Sequence, residues 1–321
     1  MRIIFMGSPQ FAVPSLELLH ASTHEILAVV TQPDRPSGRK LQMQPPPVKV
    51  AAERLNIPVL QPVSTRSQDF FEETKLLQPE LLAVVAYGEI LRPNLLDLPV
   101  HGAVNLHASL LPKYRGAAPV ARAILEGEAV TGATTILMNE IMDGGPILLQ
   151  QECRIGPLET AEALATKISR IGATLLRQTI DLLEANELVP HSQDLTQVSY
   201  APKLRKEDGR VDWNHSANRL SRQVRAFNPW PGTFSFLRGM MVKFWLANPK
   251  ESTTLQPPGT VVDVGKESMS IACGGETVLE ILELQPENRP RFSVADFVHG
   301  HSIRAGDRFE TLNESDNIQL N

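Results

Sequence analysis

RIIFMGSPQFAVPSLELLHASTHEILAVVT, residues 2–31, decides the fold. It opens on an apolar run, RIIFM (2–6), and passes through Gly-Ser-Pro into PSLELLHAS (14–22), where Leu16 and Leu19 share a helix face. It closes on a second apolar run, EILAVVT (25–31). Short runs rich in Ile, Val and Leu with a helix between them form the strand–helix–strand unit of a parallel sheet. The turn after the first run carries Gly7 with Pro9 and Pro14. A dinucleotide site needs three spaced glycines there, so a tight strand-to-helix turn is the better reading and a nicotinamide dehydrogenase is disfavoured.

The same alternation continues outward. ELLAVVAY (80–87) and GAVNLH (102–107) read as strands, and PVKVAAERL (47–55) and FFEETKLL (70–77) as helices. TGATTILMNE (131–140) and PILLQQECRI (146–155) add two strands joined by Ile-Met-Asp-Gly-Gly. Leu164, Ile168, Ile171, Leu175 and Ile180 keep helical spacing and predict one long helix over about 160–185. The expectation is an α/β domain with a doubly wound, mostly parallel, Rossmann-like sheet over residues 1–189. The polar stretch 189–210 has two prolines and no sustained period, so a basic interdomain linker is read over 190–208. Beyond it, WNHSANRLSRQVRAF (213–227) predicts a helix. TFSFL (233–237), MVKFWLA (241–247), GTVVDVG (259–265), SMSIAC (268–273) and TVLEILELQ (277–285) predict five short strands. A helix with five punctuated strands implies a small OB-like β-barrel over 209–321. In RAFNPWPG, Phe227 and Trp230 are expected to pack the helix-to-barrel junction.

Composition narrows the function classes. The chain has 321 residues, 42% of them hydrophobic, enough for two cores. The first apolar run is too short for a signal peptide or a membrane span, so a cytoplasmic location is expected. Two cysteines far apart in sequence, Cys153 and Cys273, argue against a disulfide framework, and no metal-ligand spacing accompanies them. Net charge is −5, yet between Ala201 and Lys250 ten Lys/Arg outnumber three Asp/Glu. A basic segment inside an acidic chain suits docking of one polyanion, and a solvated charged face would look the same.

In VNLHASLLPKYRGAAPV (104–120) the period-2 geometry of a strand puts Asn105 and His107 on one face and Val104 and Leu106 on the other. Ligands of a doubly wound sheet sit at the carboxyl ends of its strands, where these side chains would project. Asp143 lies in IMDGGP between the next two strands, and it can join them if those strand ends are adjacent. Asn105 could donate to an oxyanion, His107 could donate or shuttle a proton, and Asp143 could hold the imidazole. That set suits acyl transfer to an amine. Taken singly, each residue also has an ordinary structural reading.

The run N-L-H-A-S-L-L-P with Y-R-G-A-A-P-V and the downstream Asp143 resembles the signature of the folate-dependent formyltransferases. T-Q-P-D-R-P-S-G-R (31–39), Q-P-P-P-V-K (44–49), V-V-A-Y-G (84–88), Y-A-P-K-L (200–204) and R-A-F-N-P-W-P (225–231) resemble, within them, the bacterial methionyl-tRNA formyltransferase family. The resemblance runs over nearly the whole chain. It implies the formyltransferase fold, 10-formyltetrahydrofolate as donor cosubstrate without a metal, and the α-amine of methionine on initiator tRNA as acceptor. It implies a catalytic triad of Asn105, His107 and Asp143, with direct amine attack and an oxyanion-stabilised tetrahedral intermediate. It further implies a folate-contacting loop at Ser109, Leu110, Leu111 and Pro112, with Tyr87 and Gly88 as further pocket wall.

The family reads the tRNA acceptor end with a basic loop, a linker and a barrel. Here the loop is 33–49, with Arg35, Arg39, Lys40 and Lys49; Leu-Gln-Met-Gln follows Lys40, a departure from a more lysine-rich pattern. Arg39 and Lys40, with Lys203, Arg205 and Lys206 in the linker, are the expected tRNA contacts, and Arg210, Arg222 and Arg225 could extend the strip. A monomer is expected. The competing readings are a sugar-nucleotide or other small-molecule formyltransferase, a formyl-folate hydrolase on the same catalytic domain, and a non-enzymatic RNA-binding protein. The long loop and basic linker favour tRNA.

Overall fold

The first apolar run becomes β1 (Arg2–Gly7), buried from Ile3 to Gly7, and Pro14 opens α1 (Val13–His20), where a missing N–H costs nothing. The structure is a computed structural model that describes residues 1–37 and 42–311. β2 (Glu25–Val30) lies parallel to β1, and a short ribbon of β3 (Arg35–Ser37) and β4 (Gln42–Gln44) follows. Next come α2 (Pro47–Arg54), β5 (Val59–Leu60), α3 (Gln68–Leu76), β6 (Leu81–Val85), α4 (Pro93–Leu96) and β7 (Ala103–His107). Ser67 caps α3 by accepting from Phe70 N at 3.3 Å. After α5 (Pro119–Glu126), β8 (Val130–Leu137) and β9 (Ile147–Arg154) complete the first sheet, and α6 (Ala161–Glu184) is the long helix.

The sheet order is β5-β2-β1-β6-β7-β8-β9, parallel through β7 and antiparallel at β8 and β9. The mostly parallel, doubly wound expectation holds, with one hairpin added at an edge. All five residues of β6 are buried, as a strand covered on both faces requires. The order reverses between β1 and β6, and there the Ser8 hydroxyl accepts from Gln32 N at 3.1 Å and donates to Tyr87 O at 3.4 Å. Three strand ends are thus tied beside the switch point. Behind β7, Leu106 lies on α6. A Cβ on Gly172 would stand 2.9 Å from Leu106 Cδ2, so the glycine sets how closely strand and helix approach.

Chain contacts divide the molecule into two units. One comprises Met1–Pro119, Val130–Arg154 and Leu164–Pro202; the other comprises Val120–Ala129, Ile155–Ala163 and the chain from Lys203 on. Residues 190–202 therefore pack with the first unit. Arg115 N donates to Ser199 O at 2.8 Å, and Ala201 N donates to Arg115 O at 2.7 Å.

In the second unit α7 (Ala217–Ala226) begins only at Ser216, whose hydroxyl caps Arg219 N. Trp213, expected in that helix, is core instead. It is fully buried, meets Phe244 and Phe309 at 5.6 and 5.7 Å between ring centroids, and donates from Nε1 to Ser235 Oγ at 3.2 Å. The strands are β10 (Thr233–Leu237), β11 (Met240–Thr253), β12 (Val261–Val264), β13 (Met269–Ala272), β14 (Thr277–Pro286) and β15 (Phe292–Ser293), before α8 (Val294–His301). Their antiparallel order is β10-β11-β14-β13-β12, with β15 on β14. Residues 307–310 close this sheet into a barrel. Val261 N donates to Asp307 O at 2.7 Å on one edge, and Glu310 N donates to Phe236 O at 2.8 Å on the other. At the junction, Phe227 is buried, but Trp230 is 55% exposed, which corrects the expectation that both pack there. Among the described residues no helix is long and apolar enough to cross a membrane.

Candidate active site

β7 ends on Asn105 and His107, both on one face, with Leu106 on the other face against α6. His107 is 6% exposed, and its Nε2 lies 2.9 Å from Tyr114 O. A carbonyl only accepts, so Nε2 carries the proton and Nδ1 is the edge turned to Asp143. Asp143 Oδ1 stands 3.5 Å from that Nδ1. Its other oxygen, Oδ2, accepts from Gly116 N at 2.7 Å. The carboxylate is thus oriented by one backbone amide and presented to the imidazole. Asn105 is half-buried, and its side-chain amide makes no hydrogen bond among the described residues, so its donors are free for a ligand.

Asp143 reaches this position on a turn with a special backbone. Its φ is +51°, a left-handed conformation that Asp tolerates better than most side chains. Gly145 follows because a Cβ there would run into the Leu137 carbonyl. Gly116, at φ +118°, is constrained as well: a Cβ would stand 2.7 Å from Ala201 O. The Asp-Gly-Gly and Arg-Gly segments are therefore two close backbone approaches that bring Asp143 and Gly116 together.

The 109–112 loop is held from below. Ser109 is fully buried, with its hydroxyl donating to Lys113 O at 2.7 Å, and Leu111 is also buried. Buried Thr134 accepts from Leu111 N at 3.1 Å and donates to Ser109 O at 2.6 Å, while Gln150 Nε2 donates to Leu111 O at 2.9 Å. Leu110, Pro112 and the loop backbone are what remains for a ligand. Tyr87 turns its ring into the core with Ile4, Met6 and Val84, and burial pushes its phenol well above the ordinary range. Its neighbour Gly88 is exposed, at φ +90° with open space around it, and Ile90 is exposed beside it. The apolar side chains and backbone groups at the ends of β6 and β7 suit a flat heteroaromatic ring.

The basic candidates fare differently from one another. Arg39 and Lys40 lie outside the described residues. Lys49 is committed to Asp34, its ammonium 2.9 Å from both carboxylate oxygens, and Gln61 Nε2 donates to the same carboxylate at 2.8 Å. These two hydrogen-bond donors, Gln61 first, hold Asp34 below its ordinary value. Arg225 is half-buried, donates to Glu159 O at 3.1 Å, and has its pKa lowered by burial and by Arg222. Arg219 caps α5 at Leu125 O. In contrast, Lys203, Arg205 and Lys206 are exposed, and their side chains make no ion pair among the described residues. Sequence reasoning missed Tyr114, Gly116, Thr134, Gln150, Arg115 and Gln193 as parts of the site. The first two act through backbone atoms, which carry no side-chain signature.

Comparison with known proteins identifies the family and the fold. Residues 1–180 match the formyl transferase family model, and residues 203–302 match that of the formyl transferase C-terminal domain. A methionyl-tRNA formyltransferase of Geobacter sulfurreducens is 45% identical over 308 residues, covering 96% of each chain. One from Alkaliphilus oremlandii is 44% identical over 306 residues, covering 95% of this chain and 98% of its own. Among solved structures, an N-formyltransferase of Helicobacter canadensis in complex with folinic acid and dTDP-3-aminofucose superposes with a TM-score of 0.66 at 17% identity, over 87% of this chain and 98% of its own. HypX from Aquifex aeolicus in complex with tetrahydrofolic acid gives a TM-score of 0.61 at 18% identity, over 98% of this chain and 51% of its own. At such identities the superpositions establish the fold.

Proposed function

The chain belongs to the methionyl-tRNA formyltransferase family, and we propose that Asn105, His107 and Asp143 perform the family's reaction in it. That reaction transfers the formyl group of 10-formyltetrahydrofolate to the α-amino group of methionine on initiator tRNA, for translation initiation. The donor, when bound, supplies a formyl carbon open to attack by a neutral amine. Asn105 offers its free amide N–H to the formyl oxygen as negative charge develops there. His107, with Nε2 committed to Tyr114 O, takes a proton from the attacking nitrogen at Nδ1 and returns it to the donor's leaving nitrogen as the formyl C–N bond breaks and tetrahydrofolate departs. Asp143 sits against that edge, offsets the positive charge gained by the imidazole and directs proton removal from the attacking nitrogen. Leu110, Pro112 and Gly88 hold the donor's ring at the strand ends.

The observation that carries this reading is the unpartnered amide of Asn105 on the same strand face as an imidazole already oriented on both edges. For the acceptor, exposed and unpaired Lys203, Arg205 and Lys206 support contacts to tRNA phosphates, with Arg39 and Lys40 assigned the same role and residues 209–321 acting as the tRNA-binding barrel domain. The enzyme is read as a cytoplasmic monomer. The test is transfer of labelled formyl from 10-formyltetrahydrofolate to initiator Met-tRNA, elongator Met-tRNA and a UDP-amino sugar in parallel. Label on the initiator alone is expected. Label on the sugar alone would keep the catalytic group and overturn the assignment of the basic residues.

A further inference from the structure

The turn that carries Asp143 is clamped by a residue fifty positions downstream. Gln193 is 9% exposed, and its Nε2 donates to Asp143 O at 2.7 Å and to Gly145 O at 2.8 Å. Its Oε1 accepts from Arg115 Nε at 3.1 Å and from Nη2 at 2.7 Å. Both amide protons and both carbonyl lone pairs of Gln193 are therefore used. A flipped amide would set oxygen against two carbonyls and NH2 against a guanidinium, so the orientation is fixed by its partners. Arg115 is itself 5% exposed, and its backbone is pinned on both sides by Ser199 and Ala201. The next residue, Gly116, supplies the N–H that holds Asp143 Oδ2. One short segment, Arg115-Gly116, thus reaches Asp143 twice: directly at the carboxylate, and through Gln193 at the backbone carbonyls on either end of Asp143-Gly144-Gly145.

We propose that Gln193, braced by Arg115, is a positioning residue for formyl transfer: it locks the Asp143–Gly145 turn so that one carboxylate oxygen stays on Gly116 N and the other faces His107. This rests on the assignment of Asp143 to the reaction. It also gives the 190–208 stretch, whose sequence reads as a linker, a part in the catalytic centre. With all of its hydrogen-bonding positions taken by Arg115, Asp143 O and Gly145 O, Gln193 acts on the turn and not on the donor or the acceptor. Its effect travels through a left-handed backbone that Asp143 adopts at φ +51° and that needs external bonds to persist.

The decisive variant is Gln193→Glu, which keeps the shape and the acceptors for Arg115 but removes both donors to the turn. The expected result is a kcat lowered between about 10- and 100-fold, the loss a displaced catalytic group produces. KM for Met-tRNA and for the donor should stay within about twofold. Built into Asp143→Asn, the same change should cost almost nothing further, because its route runs through the Asp143 carboxylate. Arg115→Lys, which leaves the Gln193 donors in place but removes the fork that orients them, should give a smaller kcat loss with the same KM values and serves if Gln193→Glu fails to fold. Full kcat in the folded Gln193→Glu enzyme, or an equal loss in both backgrounds, would overturn the proposal. Full turnover in Asp143→Asn alone would instead remove the reading of Asp143 on which it rests.

Discussion

Replacing Asp143 by Asn keeps the side-chain shape and removes the charge. The amide oxygen can still accept from Gly116 N, which now meets Oδ2 at 2.7 Å, so the turn has no reason to move. The amide NH2 would face His107 Nδ1 and donate to it, locking the neutral imidazole with Nε2–H on Tyr114 O. What disappears is the attraction between the carboxylate and the positive charge that His107 gains as it takes up a proton. At 3.5 Å and an effective dielectric of about 20 that attraction is on the order of 5 kcal/mol, an upper figure because Asp143 is 14% exposed and water recovers part of it. Keeping about half to four-fifths of it leaves a kcat lowered by ~10² to ~10³, near the usual span for proton-transfer groups. The assay is quenched-flow formylation of initiator Met-tRNA at saturating donor, with a thermal melt to show the fold intact. A kcat within threefold of wild type would refute the reasoning.

Other expectations follow from the same geometry. Gly116→Ala places a Cβ against Ala201 O and forces a left-handed φ on a residue that disfavours it; it should destabilise by about 1–3 kcal/mol and lower kcat, checked by denaturant unfolding and turnover together. Lys203→Ala, Arg205→Ala and Lys206→Ala combined should raise KM for tRNA and flatten its dependence on salt by up to about three phosphate equivalents; an unchanged slope would reject those contacts. Gln61 and Lys49 hold the Asp34 carboxyl below its ordinary value, so its contribution to stability is present above the unfolded pKa and lost as pH falls through the folded one. Thermal melts from about pH 5 down to pH 2 should therefore decline less steeply in Asp34→Asn than in wild type.

Residues 2–31 made the parallel unit legible because a buried strand and its crossover helix have different apolar periods. Asn105 and His107 were legible as a pair for a similar reason: a two-residue step on a strand fixes a shared face. The direction of β8 and β9 was not, since antiparallel and parallel partners can present the same apolar run. β5 has only two residues and leaves no pattern. The sequence pattern predicts a strand ending at Ala247, two residues before Pro249, whereas β11 runs to Thr253. β10 pairs only with Met240–Phe244, so Pro249 lies where the other edge is open and its missing N–H breaks no ladder. Trp230 shows the limit of composition: a large aromatic between two prolines looked like packing, and more than half of it faces solvent. Gln193 shows another limit. A polar stretch without a period reads as connection, and only coordinates reveal that one of its amides is saturated by an arginine and two carbonyls.

The central claim, that Asn105 holds the developing oxyanion beside an imidazole held by Asp143, is tested most directly by single-turnover formylation with Asn105→Ala. Enzyme in excess over initiator Met-tRNA, with labelled 10-formyltetrahydrofolate, isolates the chemical step from product release. Loss of one oxyanion donor predicts a first-order rate lowered by ~10² to ~10³ with tRNA affinity unchanged. A rate within threefold of wild type would contradict the account.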